Sequence, residues 1–139
     1  MPVKVLHIIE YEDAGGPWHT RDIVDPTWDL IEAAIRRLDK CLWPAIWLFL
    51  TADKDEVPDF EVMGGESDYW IACSVGGFHQ RRFCDPSQGE EEIAVWTSDQ
   101  GFSDSAKHIC HDLEVVLRAA RHFYDTGDFD PSIPWERYR

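Results

Sequence analysis

The sequence predicts one α+β domain over residues 1–139, built from a mainly antiparallel sheet of about five to six strands with two amphipathic helices packed on one face. Three observations support this prediction. Apolar runs separated by turn residues follow one another between Ala45 and Val75, as in an antiparallel meander. Two other segments carry apolar residues at helical spacing. A chain of 139 residues is long enough for one domain with a substantial core and short for two.

The first element is a strand over Val3–Tyr11, and a loop over Glu12–Asp25 follows it. Asp25 is suited to cap a helix, and Pro26 to its first position, where a missing N–H group costs nothing. The helix should end near Lys40. Its apolar positions recur every three or four residues, at Trp28, Ile31, Ile35 and Leu38.

The predicted meander consists of strands over Ala45–Leu50, Phe60–Gly65 and Tyr69–Val75. The first is apolar at every position, so Leu48 would face one side of the sheet and Trp47 the other. Such a strand is either covered on both faces or presents its outer aromatic residues to a partner. The sequence leaves both possibilities open.

The remaining elements are a strand over Phe78–Cys84, a strand over Ile93–Thr97 and a second helix that starts at Ser103 or Asp104. Gly127 stands where a helix stop is expected. The proline-containing tail should be extended, with Ile133 and Trp135 packed back on the core. The apolar face of the second helix is formed by Ala106, Ile109, Leu113, Val116, Leu117, Ala120 and Phe123.

Composition limits the possible partners. The chain has 27 acidic residues against 13 Lys and Arg, a formal net charge of −14. This charge argues against a nucleic acid or an anionic membrane as partner, since either requires a basic face. No apolar run reaches membrane-spanning length, and because His7 and Glu10 interrupt the N-terminal apolar residues, we do not expect them to form a secretion signal. The four cysteines have no paired spacing, which favours free buried thiols in a reducing cytoplasm.

The acidic residues are concentrated in two segments. Residues 53–68 contain seven acids and one lysine, and residues 85–104 contain six acids and no base. One interpretation is a solvated surface that keeps the protein soluble. The other is an electrostatic docking site for a partner, with Trp47, Trp70 or Trp96 as the aromatic anchor beside the acids. On that interpretation the partner-binding residues are Trp47, Asp53, Asp55, Glu56, Asp59, Glu61, Glu66, Asp68 and Trp70.

Catalytic motifs are weak in this chain. His108 and His111 are three residues apart and would share a helix face, which permits a metal site but leaves its ligand set incomplete. Cys84 and the other cysteines lack an evident histidine partner. The Gly-Gly pairs do not open a helix, so they are not phosphate-binding loops. We therefore expect no enzyme activity, no cofactor and no metal.

The chain contains, in order, an early helix with Trp28, an apolar strand, a strand into Gly64-Gly65, a Tyr-Trp-Ile strand, and a late helix ending Phe-Tyr-Asp-Thr-Gly before Ile-Pro-Trp-Glu. This order of motifs resembles the Imm-one family of bacterial immunity proteins from polymorphic toxin systems, over about residues 25–136. It implies a cytoplasmic protein that binds and blocks a cognate toxin domain, such as a nuclease or deaminase, and has no catalysis of its own.

Two alternatives of other classes remain. One is a small metal-dependent enzyme that uses His108 and His111. The other is a structural or adaptor subunit that dimerises through an exposed edge or face of its sheet. The sequence leaves the oligomeric state open.

Overall fold

The computed structural model describes residues 3–53, 57–75, 79–99 and 101–137. These residues form a single α+β domain, which confirms the predicted fold class. The main sheet has seven antiparallel strands in the order β2-β1-β3-β4-β5-β6-β9, and β7 and β8 form a separate two-stranded sheet. The elements are β1 Val5–Tyr11, β2 Trp18–Val24, α1 Trp28–Arg37, β3 Ala45–Phe49, β4 Phe60–Gly65, β5 Asp68–Val75, β6 His79–Phe83, β7 Glu92–Trp96, β8 Phe102–Ser105, α2 Leu113–Thr126 and β9 Trp135–Arg137.

Both α-helices pack on one face of the main sheet, as predicted. Alternate residues of β1, β3, β4 and β5 point at the helices, and the rings of Phe60 and Phe123 lie 5.1 Å apart at the centre of this layer. Burying one large apolar side chain contributes about 1.5–3 kcal/mol. The members of the layer that are 0% exposed are Leu6, Ile31, Ile35, Leu48, Phe60, Val62, Ile71, Val116, Ala119, Ala120 and Phe123.

The start of α1 differs from the prediction by two residues. Thr27 is the N-cap, and its hydroxyl accepts a hydrogen bond from the Leu30 amide at 3.4 Å. Asp25 instead adopts a left-handed backbone conformation and forms an ion pair with Lys4. The helix ends at Arg37, short of Lys40, because the chain turns at Leu38.

The predicted loop over residues 12–25 is wrong for its second half, which forms β2. This strand pairs with β1 along its whole length, from Val5 opposite Val24 to Tyr11 opposite Trp18. Its sequence lacks an apolar alternation because both of its faces are largely exposed. The pairing with β1, rather than burial of its own side chains, holds it in place.

The predicted start of the second helix is also wrong. Ser103 and Asp104 lie in β8, a short 3-10 helix follows at Ala106–His108, and α2 begins only after its N-cap Asp112. Ala106 and Ile109 are buried outside the helix, which explains why they continued its apolar spacing. The C-terminal end is confirmed, since Gly127 closes the helix at φ 76°.

The strand at residues 93–97 is confirmed, but it belongs to the separate β7–β8 hairpin. The hairpin packs on the face of the main sheet that is turned away from the helices, where Val95 meets Met63 and Trp70. The tail packs back on the core as predicted, with Ile133 buried and Trp135 partly buried. Its pairing with β6 as the strand β9 was not predicted.

Two glycines fix the tight corner between β4 and β5. Gly64 and Gly65 have φ values of 121° and 142°. A Cβ atom added to Gly64 would lie 2.0 Å from the Asp68 carbonyl oxygen, and one added to Gly65 would lie 2.4 Å from the Leu38 carbonyl oxygen. Any side chain would collide with the backbone there. In the part of the chain that the structure describes, no helix combines the length and the apolar character that a membrane crossing requires.

Candidate binding groove

The sheet face turned away from the helices, called the second face below, is only partly covered. The β7–β8 hairpin lies over its middle, around Met63, Trp70 and Ala72. Toward β2 the second face stays open. The strand register determines which side chains lie next to one another there: His7 is opposite Trp47 of β3 and opposite Asp22 of β2.

A groove of 510 Å³ occupies this open part, between the β1–β2 hairpin and the β7–β8 hairpin. Its volume falls within the range of about 300–1,000 Å³ that is typical of ligand sites. Four strands and one turn supply its walls. The lining residues are His7, Ile9, Tyr11, Trp18, Thr20, Trp47, Trp96 and Asp99.

Five of the eight residues that line the groove carry aromatic rings. The His7 ring stacks on Trp47 with centroids 5.2 Å apart and planes inclined by 16°. The Tyr11 and Trp96 rings meet edge to face at 6.1 Å. Trp18 is 56% exposed, which is unusual for so large an apolar side chain. Contiguous exposed aromatic surface of this kind is typical of binding sites.

The hydrogen bonds of the groove hold its floor in position. His7 Nδ1 lies 2.5 Å from Asp22 Oδ1, so the imidazole is tied to β2 while it stacks on β3. The Trp47 indole N–H is buried and has no hydrogen-bond partner among the described residues. At the mouth, the Asp99 amide donates to the Ala14 carbonyl oxygen at 3.0 Å, which joins the tips of the two hairpins.

The charge around the groove is negative. Asp99 lines it and is exposed, Asp22 stands behind His7, and none of the eight lining residues is a Lys or Arg. Elsewhere, arginines lie over aromatic rings: Arg37 over Trp43 at 5.1 Å and Arg121 over Trp28 at 5.4 Å. Among the described residues, no Lys or Arg side chain lies over the rings of the three groove tryptophans.

A smaller cavity of 370 Å³ also lies on the second face, toward β6 and across the β7–β8 hairpin from the groove. Glu61, Gln80 and Arg82 supply its polar groups, and Phe102 of the hairpin closes one side. Glu61 is opposite Trp47 in the strand register, so these two predicted partner-binding residues share the second face.

The other acids predicted to bind a partner are dispersed. Asp59 accepts a hydrogen bond from the Leu50 amide at 2.8 Å, and Asp68 pairs with Lys40 at 2.6 Å. Glu66 is exposed in the turn between β4 and β5, and Asp53 is exposed in the connection between β3 and β4. Asp55 and Glu56 lie outside the described residues. The members of the set that the structure describes are therefore not gathered into one patch.

Trp70 does not have the exposure expected of an anchor. It is 4% exposed beneath the hairpin, and its indole N–H donates to Asp104 Oδ2 at 2.9 Å. The β7–β8 hairpin, which the sequence did not place over the sheet, covers it. Trp96, by contrast, lines the groove.

A polar network beneath the hairpin centres on His108. Its Nδ1 is 2.9 Å from Asp104 Oδ1 and its Nε2 is 2.8 Å from Glu136 Oε2. Only the imidazolium can donate to both carboxylates at once. Arg82 also contacts Asp104 and Glu136, at 3.2 and 3.1 Å. This network joins β6, β8 and β9.

The pKa values of the two carboxyl groups of this network, Asp104 and Glu136, are both lowered. Burial alone would raise the pKa of Asp104, but hydrogen bonds from His108, the backbone and Trp70 outweigh it and lower the pKa. For Glu136, burial is again the largest single influence and raises the pKa. Hydrogen bonds from Arg82 and His108 together lower it below its usual value.

The predicted helical pair of His108 and His111 does not form. His108 is buried in the 3-10 helix, whereas His111 is about half exposed beyond it and lies 3.0 Å from Asp68 Oδ1. Within the described ranges, the potential metal ligands that approach one another are Cys84, His108 and Glu136, with ligand atoms within 4.8 Å. Arg82 beside Glu136 opposes a second cation there, and burial raises the pKa of the Cys84 thiol.

The sequence identified Trp47 and Trp96 but missed the other groove residues. His7 and Tyr11 are on a predicted strand, and their position on the second face follows from that strand's alternation. Trp18 was assigned to a loop, so its pairing with Tyr11 was not foreseen. Asp99 was counted among the acids but joins the groove only through long-range packing of the hairpin.

The comparisons with known proteins add no relative. No family model matches the chain, and no curated protein or solved structure matches it.

Proposed function

We propose that the protein is an immunity protein that binds and neutralises a cognate bacterial toxin in the cytoplasm. The observation that carries the proposal is the open, aromatic part of the second face, bordered by carboxylates on a chain of net charge −14. The resemblance to the Imm-one family supports the same function. The proposed partner is a basic effector domain, such as a nuclease or deaminase.

The groove has the two properties that a protein interface of this kind requires. Trp and Tyr are enriched among the residues that dominate binding energy, because they bury large areas with few rotatable bonds. Trp18, Trp47 and Trp96 supply such area here. The surrounding acids would speed association with a basic partner, since opposite charges steer encounter.

Inhibition would follow from occlusion. An enzyme that acts on nucleic acid has a basic active-site surface, which binds phosphate groups. A rigid acidic surface such as the rim at Asp99 can occupy those positions in place of the substrate. The rim is held by the hydrogen bond between Asp99 and Ala14, so docking requires little ordering.

Co-expression with the product of the neighbouring gene tests this function. We expect the neighbour to arrest growth alone, and this protein to co-purify with it and restore growth. A Trp18→Ala, Asp99→Lys double variant should weaken the complex by about tenfold or more, because it removes exposed aromatic area and reverses a charge. The matched control is Leu30→Ala, Glu114→Lys, which alters an exposed apolar residue and an exposed acid on α1 and α2.

Two outcomes would contradict the proposal. If the neighbour is harmless or does not bind, the function is wrong. If it binds but the control variant weakens the complex as much as the groove variant, the function stands and the choice of surface is wrong. Charge reversal of Glu61 and Glu66 then tests the acids predicted from the sequence.

A small metal-dependent enzyme is the second candidate, and a specific observation favours a site for it other than the His108–His111 pair. Cys84, His108 and Glu136 bring a sulfur, a nitrogen and an oxygen within 4.8 Å of one another. These are ligand types that zinc accepts. Stoichiometric zinc in the purified protein, lost in a Cys84→Ser variant, would support the enzyme and count against the immunity function.

The adaptor alternative would use β2, which is an edge of the main sheet. Seven residues of this strand pair with β1 on one side, and no described strand pairs with them on the other. An unpaired edge of this length can accept another strand. If the protein is a dimer in solution and an Arg21→Pro variant is a monomer, this alternative would be supported.

A further inference from the structure

We infer that the groove is a receptor for one arginine side chain, which the partner inserts between the β1–β2 and β7–β8 hairpins. The inference rests on the proposed function, because it names the chemistry by which the partner would be recognised. The occupant is a guanidinium group that stacks on indole faces and pairs with the carboxylate of Asp99.

The aromatic lining favours a cation over an apolar side chain. The faces of Trp rings carry negative electrostatic potential and attract cations within about 6 Å of the ring centre, Trp most strongly of all. Trp18 is opposite Tyr11 in the strand register, and the Trp96 ring lies 6.1 Å from the Tyr11 ring, so these two indoles flank the same tyrosine in the groove. A purely aliphatic occupant would leave the carboxylate at the mouth without a partner.

The acidic groups select the sign of the charge. Asp99 lines the groove, and Asp22 is held behind the His7 ring at 2.5 Å from Nδ1. A carboxylate accepts two parallel hydrogen bonds from a guanidinium, and lysine offers only a compact ammonium. The pairing of flat indole faces with a carboxylate therefore favours arginine over lysine.

Three of this chain's own arginines already lie over aromatic rings. Arg37 covers Trp43, Arg81 covers Phe129 at 4.4 Å, and Arg121 covers Trp28. In the described ranges no arginine of this chain covers the groove tryptophans, and none lines the groove. A partner's arginine would complete at the groove what internal arginines complete elsewhere.

The test uses the whole protein and two small probes. Nα-acetyl-arginine amide and the neutral isostere Nα-acetyl-citrulline amide are titrated into protein labelled with ¹⁵N at the tryptophan indoles, and the N–H signals are followed by NMR. Trp18→Leu and Trp96→Phe variants assign the groove signals. We expect arginine to shift these signals with a Kd at least about tenfold below that of citrulline, and added salt to weaken it.

Asp99→Asn sharpens the test without disturbing the turn. Asp99 has φ 53°, a conformation that asparagine tolerates well, so only the charge is lost. The Kd for arginine should rise by about three- to tenfold. Asp125→Asn, which removes the same charge from an exposed site on α2, is the control and should leave the Kd unchanged.

The outcomes separate this inference from the proposed function. Equal shifts with arginine and citrulline, no groove shifts at all, or equal effects of the two Asn variants would overturn the arginine receptor. If the toxin neighbour nevertheless binds, the immunity function survives without it. If arginine binds as expected and no toxin is neutralised, the receptor stands and the proposed function fails.

Discussion

The two faces of the seven-stranded sheet differ in what their side chains contact. On the helix face, large apolar residues such as Phe60 and Ile71 are fully buried against α1 and α2. On the second face, the β7–β8 hairpin covers the middle and leaves an aromatic groove open toward β2. One sheet thus has a closed side that supplies stability and a partly open side that is available for binding.

This difference shows why the all-apolar strand β3 admitted two interpretations. The helix face of β3 is covered and its outer face only partly, since Phe49 there is 3% exposed; a partner at Trp47 stays a prediction. Leu48 and Ile46 face the helices and are buried, whereas Trp47 faces the groove and stays partly exposed. An apolar run therefore indicates two useful faces, but not which of them is covered.

The largest expected contrast between the faces is in stability. Phe123→Ala should lower the free energy of unfolding by about 3–5 kcal/mol, because it leaves a cavity against Phe60 in a closed layer. Trp18→Ala should change it by about 0.5 kcal/mol or less, since the side chain is mostly exposed. Urea unfolding of both variants measures the difference. Equal losses would contradict the division between the faces.

Thiol labelling gives the next contrast. Burial raises the pKa of Cys73, on the helix face, to about 12, so the reactive thiolate is scarce at pH 8. A Thr20→Cys variant places a thiol on the exposed wall of the groove. We expect iodoacetamide to label residue 20 roughly 100-fold faster than Cys73 in the folded protein. Peptide mass spectrometry reads both sites, and comparable rates would show that the helix face opens readily.

The smallest expected effect is on acid stability and concerns the attachment of the hairpin. Asp104 and Glu136 have folded pKa values below their ordinary values of 3.8 and 4.5. Their contribution is therefore complete above about pH 4.5 and is lost as the pH falls through the folded values. An Asp104→Asn, Glu136→Gln variant should be less stable at pH 7 and should lose less on acidification.

Urea midpoints between pH 7 and pH 3 measure this effect. Asp125→Asn is the control, because that carboxylate pairs with Arg121 on the exposed side of α2, away from the hairpin. If the double variant and the wild type lost stability in parallel, the network around His108 would not hold the hairpin to the sheet.

The sequence was sufficient for elements whose burial follows their own pattern. β3, β4 and β5 were predicted because their apolar runs match strands, and Gly127 marked the end of α2. β2 and β8 were missed, because neither carries an apolar pattern and both exist through pairing with a neighbour. Local sequence cannot express that kind of stabilisation.

The groove depended on the same missing information. Trp47 could be singled out as an aromatic residue on an outer face, but its neighbours come from β1, β2 and the turn after β7. Bringing Trp18 and Asp99 to one site requires the hairpin tips to meet, as they do between Asp99 and Ala14. That contact joins residues 85 positions apart, and neither local motif indicates it.

The position of β2 at the sheet edge has an evolutionary consequence. This strand supplies a wall of the groove, yet it buries almost nothing of its own. Mutations there can change specificity at little cost to folding, so a lineage can acquire a new partner without first acquiring a more stable scaffold. Divergence should be fastest along Trp18–Val24 and slowest in the layer between the sheet and the helices.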